Sequence, residues 1–187
     1  MRKTLKSHIL KVASELFYNN GIQATGVDTI IAEAKVAKMT LYKHFPSKDD
    51  LVLAYLTERD KEWRAWLEQS VDQIASKPAE KIIGIFDVLD IWFRGPDFNG
   101  CAFLNTTAEF TGVSHPFHEA SIEHKKHLLE YINKLVEDAG IQQSTQVADS
   151  LYLLIEGAII TELVHRDGKS AKRAKEGARV SLSSYNK

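Results

Sequence analysis

Lys38, Thr40, Tyr42, Lys43 and His44 fall within seven residues, and Lys48 follows four positions later. Lysine and histidine bring positive charge, and a tyrosine hydroxyl donates a hydrogen bond; these are the groups that meet the phosphate oxygens of a nucleic acid. Thr40 is short enough to let a backbone come close. Between them Leu41 and Phe45, four apart, are apolar. On a helix that spacing places both on one side, facing a core, and leaves the polar set on the other.

The flanking sequence supplies elements able to hold such a helix. Ile9, Val12, Ala13, Leu16 and Phe17 recur at three and four, which predicts a first helix over residues 4–18, ended by Asn19-Asn20-Gly21. Thr25, with Asp28 three residues on, reads as the cap of a second, short helix whose buried face is Val27, Ile30, Ile31 and Ala34. A three-residue turn, Lys35-Val36-Ala37, leads into the third helix, residues 38–45, and Pro46 breaks the chain. Two short helices joined by such a turn and packed on a first helix make a helix-turn-helix, whose second helix enters the major groove of DNA. Ser47 and Asp50 then open a long helix to about residue 75, and Lys48 in its first turn sits beside free backbone N–H groups, a phosphate anchor.

Charge is distributed in keeping with this. The chain has 187 residues and a net charge of −1, yet residues 1–50 hold eight lysines and arginines against five acids, +3, while the remainder is −4. A basic head on an acidic body suits a nucleic-acid partner better than the average suggests. Further helices are expected over residues 78–94, 101–110, 116–139, 144–164 and 170–184, so the expected class is all-α: about nine helices, a three-helix head over 1–47 and a larger helical bundle over 48–187.

Residues 9–52 resemble the DNA-binding head of TetR-type repressors. The resemblance is carried by Ala13, Leu16-Phe17, Gly21, Thr25, Val27, Ile30, Ala32, Ala34, Val36, Lys38, Thr40-Leu41-Tyr42, His44-Phe45, Ser47-Lys48 and Leu51. It implies a transcriptional repressor that reads a palindromic stretch of double-stranded DNA as a homodimer and is released by a small-molecule effector. It assigns Thr25 to capping and phosphate contact, Lys38, Thr40, Tyr42 and His44 to the recognition helix, and Lys48 to the DNA backbone. Position 43 varies in the family, so Lys43 is a candidate for site choice, and Met39 for contact with a thymine methyl. Three positions depart from the pattern. Lys35 stands where the turn usually has glycine, Ala37 where the recognition helix usually has a serine or threonine cap, and Gly26 where a hydroxyl often meets phosphate.

Residues 151–160, Leu-Tyr-Leu-Leu-Ile-Glu-Gly-Ala-Ile-Ile, are apolar almost all round, and a helix of that kind is covered on several sides. Tyr152, Ile155, Ile159, Leu163 and, from the last helix, Leu182 are the expected dimer contacts, with Gly157 and Ala158 allowing close approach. Trp66, Phe86, Trp92, Phe103, Asn105, Phe110, His118 and Glu156 are the expected effector-binding set, and Glu109 is a further polar group on the sixth helix. An unpartnered buried carboxylate is costly, so Glu156 is paired, at the dimer seam, or facing a wet pocket.

A single cysteine, Cys101, excludes an internal disulfide and a cysteine-built zinc site. At a helix start it is either a small buried filler or a redox- or electrophile-sensing thiol. The histidine pairs His115/His118 and His124/His127 have the spacing of metal ligands on one face but no clear acidic partner, so no metal and no cofactor is expected. No nucleophile–base spacing suggests an enzyme. The polar, basic start and the lack of an apolar run of roughly 18 residues point to a cytoplasmic chain without a membrane segment.

Overall fold

The computed structural model describes residues 4–185, and among these every regular element is an α-helix. They are α1 (Leu5–Asn20), α2 (Val27–Ala34), α3 (Lys38–His44), α4 (Lys48–Ile74), α5 (Pro78–Phe93), α6 (Ala102–Glu109), α7 (Pro116–Asp138), α8 (Ser144–His165) and α9 (Ser170–Tyr185). Arg2 and Lys3, counted in the charge of the head, lie outside the described residues.

Local chemistry explains most boundaries. The Thr4 hydroxyl accepts the Ser7 N–H at 3.2 Å and starts α1, and Gly21, at φ 88°, ends it. Ser47 and Asp50 cap α4 reciprocally: the Asp50 N–H donates to the Ser47 hydroxyl at 3.0 Å and the Ser47 N–H donates to the Asp50 carboxylate at 3.0 Å. Lys35 closes α2 in the left-handed region, φ 53° and ψ 46°, as its place in a glycine position implies. Ala37 begins α3 with no side-chain cap.

The cap of α2 differs from expectation. Gly26, not Thr25, occupies it, and Thr25 is buried with its hydroxyl donating to the Gly21 carbonyl at 2.7 Å and the Leu16 carbonyl at 3.4 Å. A carbonyl left over at the end of α1 competes for the hydroxyl and wins, because a buried acceptor without a donor is expensive.

Contacts divide the chain into two units: Met1–Lys61 with Ala102–Glu123, and Glu62–Cys101 with His124–Lys187. The first therefore groups α6 and the beginnings of α4 and α7 with the three-helix head. Its core includes Ile9, Phe17, Ile30, Leu41, Phe45, Leu51, Phe103 and Phe117, all buried. The second is built on α5, α8 and α9, with Ile82, Leu89, Leu151, Ile155 and Ala178 inside. Gly177 lets α8 approach α9, since a Cβ there would lie 3.2 Å from Leu154 Cδ2. Buried Glu162 near the end of α8 accepts the Gly168 N–H at 2.9 Å and the Ser170 N–H at 3.3 Å, tying its carboxylate to the N-terminus of α9. Gly100, two residues before α6, is buried at φ 77°, and a Cβ on it would come within 2.8 Å of Leu163 Cδ2.

Candidate nucleic-acid interface

α3 divides as its sequence requires. Leu41 and the following Phe45 are buried, while Lys38, Met39, Tyr42 and Lys43 are exposed and Thr40 and His44 half-buried. Met39 is 81% exposed, an apolar tip held in solvent by a helix whose other face is fully used. Lys43 and His44 occupy the last turn, where positive charge is favoured by the helix dipole. Lys38 stands 3.7 Å from Asp28, both ends well exposed, an ion pair worth little and easily exchanged for phosphate. Lys43 has no acidic partner among the described residues.

Two expected phosphate ligands are placed differently. Thr25, buried as described, offers no hydroxyl to a phosphate. Lys48 is half-buried and its Nζ donates to the Ile22 carbonyl at 2.6 Å, so this cation is held by the turn between α1 and α2. The same turn receives a group whose partners the sequence does not reveal. Glu109 reaches it from the end of α6: Oε1 accepts the Ile22 N–H at 3.0 Å and Oε2 the Gln23 N–H at 2.6 Å. One signal was available. An acid on the last residue of a helix opposes the dipole, so such a residue calls for donors from elsewhere.

The expected effector residues fall in both units. In the first, Phe103 is buried, Asn105 is half-buried, and Phe110 stacks with His115 and Phe117 at ring distances of 5.1 and 4.9 Å. His118 there has a buried Nδ1 without a partner. In the second, Trp66 and Trp92 join Trp63 in a ring cluster with centroids 5.6–6.4 Å apart, extended by Phe98 and by His124. Phe86 is buried and lines a cavity of about 330 Å³ between α5 and α9, together with Asp87, Asp90, Arg94, Lys175 and Arg179. Glu156 is paired: Lys125 Nζ donates to its two carboxylate oxygens at 2.6 and 2.7 Å. Lys125 also donates to Cys101 Sγ at 3.4 Å. Burial pulls the Lys125 ammonium down, but Cys101 and Glu156 outweigh it and leave the group above its usual value.

The expected dimer set needs a correction. Ile155 and Ile159 are buried within the chain itself, because they lie on the side of α8 that carries Leu151, Ala158 and Glu162. The solvent side holds Leu153, Ile160 and Val164, exposed by 67%, 42% and 70%, with Gly157 on the same stripe. A Cβ added at Gly157 would touch nothing within 4 Å. Tyr152, Leu163 and Leu182 are half-buried, and Val180 of α9 is exposed. The misreading is one of phase: a helix apolar on nearly all sides gives no periodicity from which to tell inside from outside.

Residues 9–55 match the family described as bacterial regulatory proteins, tetR family, and residues 78–178 match the tetracyclin repressor-like C-terminal domain. The chain belongs to the TetR family. SCO4454, a TetR-family transcriptional regulator from Streptomyces coelicolor, is 30% identical with a TM-score of 0.89, covering 98% of this chain and 96% of its own. The HTH-type transcriptional regulator YjdC of Escherichia coli is 21% identical over 164 residues, 86% of this chain and 84% of that protein. YxaF of Bacillus subtilis, also an HTH-type transcriptional regulator, is 26% identical over 166 residues, 87% and 86% of the two chains. This TetR-family member is thus a DNA-binding transcriptional regulator, with α2 and α3 as its helix-turn-helix. Among the described residues no helix is long and apolar enough to cross a membrane.

Proposed function

We propose that this regulator is a cytoplasmic homodimeric repressor, without enzymatic activity, that holds a palindromic operator through two copies of α3 and releases it when a small molecule binds its larger domain. The observation that carries the reading is the free face of α3. Met39, Tyr42 and Lys43 stand in solvent, and no acid among the described residues pairs with Lys43. One recognition helix spans only a few base pairs, so specificity calls for a second copy placed about 34 Å away, or a multiple of that. The stripe Leu153, Gly157, Ile160 and Val164 is the proposed seam, an apolar surface of the kind monomers seldom leave uncovered.

In the proposed division residues 1–47 bind DNA and 48–187 bind effector and partner. Lys38, Met39, Thr40, Tyr42, Lys43 and His44 are the proposed contacts. Lys48 joins them only by leaving the Ile22 carbonyl. Trp66 and Trp92 remain proposed effector contacts of the second unit and, as a separate set, Phe110 and His118 of the first. The experiment is binding of the dimer to its own promoter duplex, with and without fractions of cell metabolites. Salt-sensitive binding that one fraction abolishes is the expected result, and catalytic turnover of a metabolite without any DNA shift would overturn the proposal. A second reading, release through chemical modification of Cys101, is favoured by the ammonium of Lys125 beside its sulfur. It predicts loss of DNA binding on thiol alkylation and none in Cys101→Ser.

A further inference from the structure

We infer that Glu109 is a positioning residue for DNA recognition, a carboxylate on α6 that fixes the turn from which the helix-turn-helix departs. The inference rests on the reading that α3 enters DNA.

The geometry is specific. Successive amides of the α1–α2 turn, Ile22 and Gln23, each donate to a different oxygen of one carboxylate, at 3.0 and 2.6 Å. Two neighbouring N–H groups that converge on one anion form a backbone nest. Gly21 makes the approach possible: its φ is 88°, and a Cβ there would lie only 3.2 Å from Glu109 Oε1. The Gln23 side-chain amide returns a bond to the Glu109 carbonyl, so residues 86 and 87 apart in sequence are joined three times. From the other side Lys48 Nζ donates to the Ile22 carbonyl. The Ile22 peptide is thereby held at its N–H by α6 and at its carbonyl by the start of α4.

The turn is the place where such a grip matters. Thr25, three residues beyond Ile22, is buried and bonded back to Gly21, and α2 starts two residues later at Val27. Shifting the Ile22–Gln23 peptides shifts the origin of α2 and, through the three-residue turn, of α3. The carboxylate is also locally unfavourable twice over. It ends a helix, where negative charge is disfavoured, and it puts an anion on the unit that must approach DNA. A residue that breaks two local rules and is bonded three times to one distant turn has a role beyond filling the surface.

The sign of the effect separates positioning from simple charge. Removing an anion near DNA tightens binding through electrostatics alone, whereas loosening the turn weakens it. Affinity is measured for a duplex selected from a random library by the wild-type dimer, at several salt concentrations and well below the melting midpoint. Glu109→Ala is expected to weaken binding about tenfold, with an unchanged salt slope because no phosphate contact is lost. Glu109→Gln keeps one acceptor, should lie between, and carries the test if the alanine variant does not fold. Hydrogen exchange at the Ile22 and Gln23 amides should accelerate in both. Affinity that is unchanged or tighter in the folded variants overturns the inference. Tyr42→Ala is the control: if it too leaves binding intact, the placement of α3 in DNA fails instead.

Discussion

Lys125→Met removes a charge while keeping most of the bulk, and it tests whether the tie between α7 and α8 stabilises only as a pair. Nζ lies 2.6 and 2.7 Å from the oxygens of Glu156, and the two side chains are 22% and 21% exposed. At about 3 Å and an effective dielectric of 20 the attraction is about 5 kcal/mol. Desolvation of two largely buried ions removes several kcal/mol each, so the pair is worth little over an apolar replacement. A single substitution is different, because it strands the partner. Lys125→Met and Glu156→Leu should each cost about 2.5 kcal/mol, tempered by the one-fifth exposure. Lys125→Met with Glu156→Leu should cost about 1 kcal/mol, a coupling on the order of 3–4 kcal/mol. Urea unfolding at pH 7 reads these values from midpoints at constant slope. The pH dependence has a definite sign. The Lys125 ammonium is raised above its usual 10.5, so its stabilisation is full below that value and is lost as pH climbs through the folded one. The gap between wild type and Lys125→Met should hold from pH 7 to about 10 and narrow above. Single variants that each cost under about 0.5 kcal/mol, or a double variant that costs the sum of the singles, would refute the reasoning.

The proposed contacts and seam give further expectations. Lys43→Ala removes one phosphate cation from each head of a dimer, so the slope of log affinity against log salt should fall by about 1.8; an unchanged slope with a new sequence preference would mean that Lys43 reads bases. Leu153→Glu places a charge on the exposed stripe of α8 and should weaken dimerisation about 100-fold by sedimentation, and a dimer of unchanged strength would move the seam elsewhere. Ala37→Ser supplies the missing cap of α3 and should raise stability by about 1 kcal/mol in a thermal melt.

The helices were legible because their signals are local. Gly21, Pro46, Pro78 and the Ser47–Asp50 pair mark ends by chemistry confined to a few residues, and among the described residues α1 and α3 end and α4 and α5 begin close to where those marks stand. The outer face of α3 was legible for the same reason, since Leu41 and Phe45 fix which side is inward. Lys48 and Glu109 depend on partners far along the chain, and Thr25 on a competing acceptor four residues back. Thr25 reads as a cap because Asp28 follows it, yet the leftover carbonyl of Gly21 takes its hydroxyl. Lys48 reads as a phosphate anchor, yet a carbonyl 26 residues earlier holds it. Glu109 had no visible partner within its own helix, and its donors lie 86 and 87 residues away. Ile155 and Ile159 were assigned to the seam because α8 is too uniformly apolar to reveal its phase.

Gly100 resists substitution for two unrelated reasons, a backbone angle that side chains rarely adopt and a neighbour, Leu163, that would have to move aside. The backbone angle is the firmer obstacle, since Leu163 meets the added carbon with the tip of a flexible side chain. Homologous chains are therefore expected to vary around this joint by changing the length of the 95–100 segment, or by trimming residue 163 first, and the order of those events is readable from ancestral sequences.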